Sequence, residues 1–261
     1  MFDPIKAAKV ADHLNSASFR ALLMGEINAI VLDEIVRPAE RERATRVLRA
    51  LTENTSYLWA NDLRVHGVSV GEAHESAEKL DRYLAEAEHT MRIAREVVFD
   101  GVTAIDRITQ KMLDVWGPGL RIPSIEGRPF LQQILRRWKQ GGAANPHLDQ
   151  SKTQLLSRFG MSKRIGVNAY IAMPTDGGAI EFWSREFSDA EYEACKRRDY
   201  GLDRELLGAA DLTIRPRPGQ VILFDASRPH AVEAVAGKGE RVTNASFYAY
   251  AGDAAPLFTF A

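Results

Sequence analysis

Two histidines and a carboxylate carry the most pointed chemistry in this chain. His147 and Asp149 stand two apart in the run NPHLD. Residues two apart on a strand share a face, so the spacing predicts that they point together while Leu148 points away. The histidines lie at 13, 66, 74, 89, 147 and 230, and His147 alone has a carboxylate two residues on. A third ligand must come from a distant strand. His230 follows the apolar run QVILFD and opens the next β-rich run, so it is the natural candidate. Two histidines and one carboxylate form a facial triad that suits ferrous iron and leaves positions open for a ketoacid and dioxygen. A lone His-x-Asp is a short motif with a bland alternative, a strand-edge histidine, so its neighbourhood has to decide.

That neighbourhood contains a cation where a ketoacid needs one. The far carboxylate of 2-oxoglutarate calls for a fixed partner, and the planar fork of arginine matches a carboxylate bidentately. Arg241 lies eleven residues after His230, with the turn Gly237-Lys238-Gly239 between them. This spacing predicts adjacent antiparallel strands. Thr243, two residues further, shares the face of Arg241, and its hydroxyl is placed to share the carboxylate.

The elements that must hold these groups fall into two parts. Up to about residue 120 the chain reads as mainly helical. An early strand over 26–36 precedes a helix from Pro38 to about Thr52. Leu80, Tyr83, Leu84, Ala87, Met91, Ala94 and Val98 are spaced for a helix over 75–99, which Asp100-Gly101 breaks. A further helix carries Ile105, Ile108, Met112 and Val115 and stops at Gly117-Pro118-Gly119. Beyond 120, β-rich runs at 130–138, 165–173, 179–183, 220–225, 230–235 and 241–250 alternate with turn residues, which predicts a sandwich or barrel. Gly177, Gly178 and Gly219 read as turn formers. The polar stretch 184–210 interrupts the β series and reads as helical, a candidate lid. The 261 residues are expected to form a single domain, with a helix-rich part over 1–120 and a β core over 121–261.

NPHLD, GVNAYIAMPTDGGAIEF and PRPGQVILFDASRPHAVEAVAGKGERVTNASFYAY together resemble the iron(II)/2-oxoglutarate oxygenase superfamily. The shared pattern is His-x-Asp, a Gly-Gly-x-hydrophobic-x-Phe strand, a Pro-x-x-Gly turn into an apolar strand, and a distal His followed by Arg-x-Ser. Thr243 stands where serine is common. The resemblance covers roughly residues 130–250. It implies an α+β fold with a double-stranded β-helix (jelly-roll) core and a helix-rich N-terminal half packed against it. It also implies iron(II), 2-oxoglutarate and dioxygen, with hydroxylation of an unactivated C–H bond and decarboxylation of the ketoacid to succinate. The stretches HGVSVGEA and EFWSREFSDAEYEACKRRDYGLD are similar, more faintly, to the carrier-independent halogenases of indole-alkaloid pathways and their hydroxylase relatives. Those halogenases have glycine at the carboxylate position, and chloride fills the vacancy. Asp149 at that position implies hydroxylation or another oxidation.

Other residues carry softer expectations. The resemblance implies that Trp138 lines the cosubstrate pocket, with a core aromatic on a strand as its plain alternative. Asn168 and Tyr170 share a strand face, and one of them is expected to hydrogen-bond the cosubstrate. Trp183 is a candidate for the substrate pocket, against the commoner reading of plain core packing. Arg197 and Arg198, with Arg204, are candidates for an acidic substrate group, against the commoner reading of a solvated helix face. His66 and His74 read as structural or exposed, and Cys195 is given no role.

The net charge of -1 lacks the basic footprint of a nucleic-acid binder. One cysteine precludes an internal disulfide, no apolar run approaches the ~18 residues of a membrane span, and the N-terminus lacks a signal-peptide pattern. A cytoplasmic protein acting on a small molecule is expected, as a monomer or homodimer. Two other classes fit a jelly roll: a non-catalytic binding protein, and a cupin-like isomerase or dioxygenase indifferent to 2-oxoglutarate.

Overall fold

Alternation along two ten-residue strands, Lys163–Ala172 and Arg241–Tyr250, organises the molecule. In the first, Ile165, Val167, Ala169 and Ile171 join a buried apolar cluster, while Arg164, Gly166 and Asn168 line a cavity on the opposite face. In the second, Val242 and Tyr248 join that cluster, and Arg241, Thr243, Ala245 and Phe247 line the cavity. The two strands pair antiparallel, with Thr243 opposite Tyr170 and Phe247 opposite Gly166. The structure is a computed structural model and describes residues 9–53, 62–73, 75–149, 154–197 and 201–261. Arg198 and His74 lie outside the described residues.

Among these residues the two strands form the centre of a nine-stranded sheet, largely antiparallel. Helices pack on its apolar face. Pro38–Thr52 buries Ala44 and Leu48, and Ala104–Val115 buries Ile105, Ile108 and Met112 against the same cluster. Leu48, Ile105, Ile108 and Met112 each contribute about 1.5–3 kcal/mol on burial. Pro38 occupies the first turn of its helix, where its missing N–H costs nothing. Thr103 caps Ala104–Val115, accepting from the Asp106 N–H at 3.0 Å while the Asp106 carboxylate accepts from the Thr103 N–H at 3.1 Å. A second cluster, around Tyr83, Met91, Phe130 and Phe260, seats the helix Ala77–Arg92.

A smaller four-stranded antiparallel sheet lies across the cavity. Its order is Leu212–Ile214, Ile180–Phe182, His230–Val232 and Ala144–His147. This gives mixed helix and sheet, with helices on one side of the larger sheet and the cavity between the two sheets.

Several boundaries differ from expectation. The early strand is only Ala29–Leu32, because Glu34 turns the chain at φ 57°. The run 130–138 becomes a strand only at Ile134, since Phe130 and Leu131 belong to the second cluster. The helix expected over 75–99 is α-helical to Arg92, and Ile93–Val98 winds as a π-helix. There Arg95 forms a two-pronged pair with Asp106, at 2.8 and 3.0 Å. The run 230–235 is split: a register shift follows His230, and Val235 pairs with Gly177 in a separate two-stranded piece. His230 and Arg241 therefore do not lie on adjacent strands. They belong to the two different sheets and face one cavity from opposite sides. Residues 184–210 contain the short helices Asp189–Cys195 and Arg204–Leu207. No helix among the described residues is long and apolar enough to cross a membrane.

Candidate metal centre

The two histidines come together because their strands do. His147 ends one strand of the smaller sheet and His230 begins its neighbour, directly opposite in register. Their rings lie 4.3 Å apart between centroids. Asp149 sits just beyond the strand rather than on it, so strand alternation alone does not aim it. Its backbone N–H donates to the Ala226 carbonyl at 2.8 Å, and this tether brings the carboxylate back to the imidazoles. His230 Nε2 is 3.4 Å and His147 Nε2 3.9 Å from the carboxylate oxygens. One ligand atom from each residue lies within 4.8 Å of the other two, close enough to share one ion. Leu148 does not simply turn away, since it too lines the cavity.

The imidazoles are set in one tautomer by the chain itself. His147 Nδ1 is 2.8 Å from the Asn145 carbonyl, and His230 Nδ1 is 3.0 Å from the Arg228 carbonyl. A carbonyl only accepts, so each Nδ1 carries the hydrogen and each Nε2 turns its lone pair to the centre. In both cases a proline, Pro146 or Pro229, separates donor and acceptor. Burial, reinforced by the neighbouring His230, holds the His147 pKa down at about 4, so this imidazole is neutral and able to ligate near pH 7. Burial acts to raise the Asp149 pKa, but the adjoining His230 and His147 and the positive field of Arg164 favour the carboxylate and overcome it. The carboxyl is held well below the usual carboxylate range. Two imidazoles that turn Nε2 to the centre and an ionised carboxylate are the donor set that iron(II) takes.

The cavity beneath the triad has a volume of about 510 Å³, within the range of small-molecule sites. Arg241 lies in its wall, 2% exposed. Its Nε donates to the Gly178 carbonyl at 3.2 Å, an Nη donates to the Tyr170 hydroxyl at 3.4 Å, and its guanidinium lies 5.1 Å from the Tyr170 ring centroid. No carboxylate pairs with it among the described residues. Burial correspondingly lowers its pKa. Trp138 stands opposite Arg241 in register, and its buried Nε1 finds no acceptor among the described residues. Thr243 and Asn168 line the same wall. An unpaired buried guanidinium, an orphaned indole N–H and a hydroxyl on one wall fit a small dianion whose other end reaches a metal.

Trp183 and Arg197 are not brought to the cavity. Trp183 is buried, its Nε1 donates to the Gly208 carbonyl at 3.2 Å, and Arg204 lies over its ring. Arg204 is itself paired with Glu181. Arg197 is exposed, in a turn where its N–H donates to the Gly201 carbonyl at 2.8 Å. From 184–210 the cavity is lined instead by Tyr192, Lys196 and Gly201. Gly201, at φ 72°, lies so close to the Pro146 carbonyl that a Cβ would come within 2.5 Å of its oxygen.

Sequence reasoning missed Arg136 and Arg164, both of which line the cavity. The signal was available for Arg164: it continues the alternation of Asn168 and Gly166 by one more step, in a strand that begins at Lys163 rather than at 165. Arg136 lies opposite Thr243 in register, on the strand Ile134–Trp138.

The L-gamma-glutamyl-L-propargylglycine hydroxylase of Streptantibioticus cattleyicolor is 26% identical over 138 residues, 51% of this chain and 49% of that protein. This chain thus spans about half the length of the curated relative it matches. An N-substituted L-amino acid dioxygenase from Burkholderia ambifaria AMMD superposes with a TM-score of 0.62 at 20% identity, over 93% of this chain and 91% of that one. Its complex with alpha-KG gives 0.61 at 20% identity, over 93% and 90%. The fold is shared with that dioxygenase. The family profile described as carrier-protein-independent halogenase WelO5 matches residues 2–261, and the chain belongs to that family.

Proposed function

We propose that this protein is a non-haem iron(II)/2-oxoglutarate-dependent oxygenase that hydroxylates an unactivated C–H bond of a small molecule. The observation that carries this reading is the pairing, in one cavity, of the His147–Asp149–His230 cluster with the buried and uncompensated Arg241. The two facing sheets are read as a double-stranded β-helix core, with residues 1–120 and 121–261 as parts of one domain.

Iron(II) with 2-oxoglutarate and dioxygen would supply the oxidising chemistry, with the ketoacid decarboxylated to succinate. The chain's own work is positioning. His147, Asp149 and His230 would hold the metal. Arg241 takes the far carboxylate of the ketoacid, with Thr243, Trp138 and either Asn168 or Tyr170 as further polar partners. No side chain is required as a general acid or base, consistent with a neutral His147. Asp149 supplies a third protein ligand where the halogenases that this chain resembles have glycine. That difference supports oxygen insertion over halogenation within this family. The relative named as a hydroxylase supports the same direction.

The test is an anaerobic titration of iron(II) into the protein with 2-oxoglutarate, following the visible metal-to-ligand charge-transfer band. The band is expected only when both are present, and it is expected to be lost in His230→Ala. A folded, metal-loaded protein with no band would sink the proposal and favour a binding protein or a cupin-type enzyme that does not use 2-oxoglutarate.

A further inference from the structure

A second buried guanidinium faces the cavity from the other end of its floor. Arg164 is 5% exposed. Among the described residues its side chain makes no hydrogen bond and no ion pair, and its Nε is buried without a partner. Two aromatic faces contact it instead: the guanidinium carbon is 5.5 Å from the Phe247 ring centroid and 5.6 Å from that of Phe260. Asp149 is the carboxylate whose field reaches it, and that carboxylate is turned to His230.

An arrangement of this kind is costly unless something completes it. A buried cation without a counter-charge loses several kcal/mol of hydration, of which two aromatic faces return about 0.5–2 kcal/mol each. The five N–H groups of an arginine are a fork shaped for a carboxylate. Arg164 and Tyr170 lie on the same face of one strand, six residues apart, which at 3.3 Å per residue is roughly 20 Å. Arg241 stacks on Tyr170. The two unpaired guanidiniums therefore mark opposite ends of one face, and a molecule as short as 2-oxoglutarate cannot reach both while also bound at the triad. Arg136 does not compete for this role, because it lies opposite Thr243, at the Arg241 end. Phe247, Phe224 and Val70 give the rest of the cavity near the floor an apolar lining.

We infer that Arg164 anchors a carboxylate of the prime substrate, so that the enzyme acts on a carboxylic acid with an apolar body rather than on a neutral molecule. This assignment rests on the oxygenase reading for the word substrate, but not for the anion site itself.

The experiment uses 3-phenylpropionate and its neutral amide, 3-phenylpropionamide, as probes. Each is added to protein saturated with 2-oxoglutarate and iron(II) without oxygen, so that the Arg241 end is filled. Thermal stability and perturbation of the charge-transfer band are both read. The wild type is expected to bind the acid and not the amide. Arg164→Met is expected to keep its fold and the band but to lose affinity for the acid by roughly 30-fold or more. Arg164→Lys is expected to retain part of it. Equal binding of acid and amide, equal binding by wild type and Arg164→Met, or no binding of the acid at 50 mM or so, far above the range of a built carboxylate site, would each overturn the inference. If the band never forms in the wild type yet the acid still raises its melting temperature and not that of Arg164→Met, the oxygenase reading fails while the anion site stands.

Discussion

Replacing Arg241 by methionine should move two quantities in opposite directions. In the ligand-free protein the guanidinium is 2% exposed and held by two long hydrogen bonds, 3.2 Å to Gly178 and 3.4 Å to Tyr170. Such bonds are worth about 0.5–1.5 kcal/mol each, and the Tyr170 face adds about 0.5–2 kcal/mol. Against them stands the several-kcal/mol cost of burying a charge with no counter-ion, and exchanging buried charges for apolar side chains of similar volume is often neutral or stabilising by about 1–4 kcal/mol. Urea unfolding of metal-free Arg241→Met should therefore show a stability equal to or above that of the wild type. With 2-oxoglutarate the sign reverses. Losing one partner of a buried charged pair costs about 2–5 kcal/mol, or roughly 30- to 5,000-fold in affinity. Anaerobic titration of 2-oxoglutarate into the iron-loaded variant measures this directly. The reasoning is refuted if the metal-free variant loses more than about 3 kcal/mol, the penalty of breaking a satisfied buried pair, while ketoacid affinity is unchanged. Arg241 would then be a structural pin between Tyr170 and the turn at Gly178.

Two further perturbations test the centre and its support. Asp149→Ala should lower iron(II) affinity by more than the roughly 10- to 100-fold that loss of an outer-shell partner produces, and unchanged affinity in a metal titration would remove Asp149 from the ligand set. In Gly166→Ala the new Cβ would meet Phe224 Cζ at 2.5 Å, and the Phe224 ring is 4.9 Å from that of His230. Overpacking of this kind costs about 1–3 kcal/mol, so both urea stability and iron affinity should fall; if neither changes, Phe224 is not a support for His230.

What was legible in the sequence was whatever local spacing encodes. Pro38–Thr52, Ala104–Val115 and Arg241–Tyr250 were expected with these bounds or close to them, because a proline, a Gly-Pro-Gly stop and a Gly-Lys-Gly turn mark their ends. The His147 and His230 pairing was legible as a requirement for a third ligand, although not as a register. Sheet membership was hidden. Eleven residues with a turn between His230 and Arg241 describe a hairpin equally well as a crossing between sheets, and the split at Val235 that decides it depends on a partner at Gly177 far away in sequence. Among the arginines of the cavity, alternation with Gly166 and Asn168 could have flagged Arg164. Arg204, within 184–210, is paired with Glu181, whereas Arg136 and Arg164 carry no expectation, because a strand charge declares a role only once the sheet face it stands on is seen to be covered.

Both metal-facing imidazoles use one three-residue device, in which the ring N–H returns to the carbonyl two positions back across a proline. Proline has no N–H to compete for that carbonyl and favours an extended residue before it. The tautomer of both imidazoles is therefore set by short stretches of main chain, with side chains such as Phe224 only packing against the rings. Walls of the cavity that do not touch the triad can be recut, by evolution or by an engineer, without changing which nitrogen each imidazole presents. A chemistry anchored in this way can be inherited intact by descendants whose substrates have nothing in common.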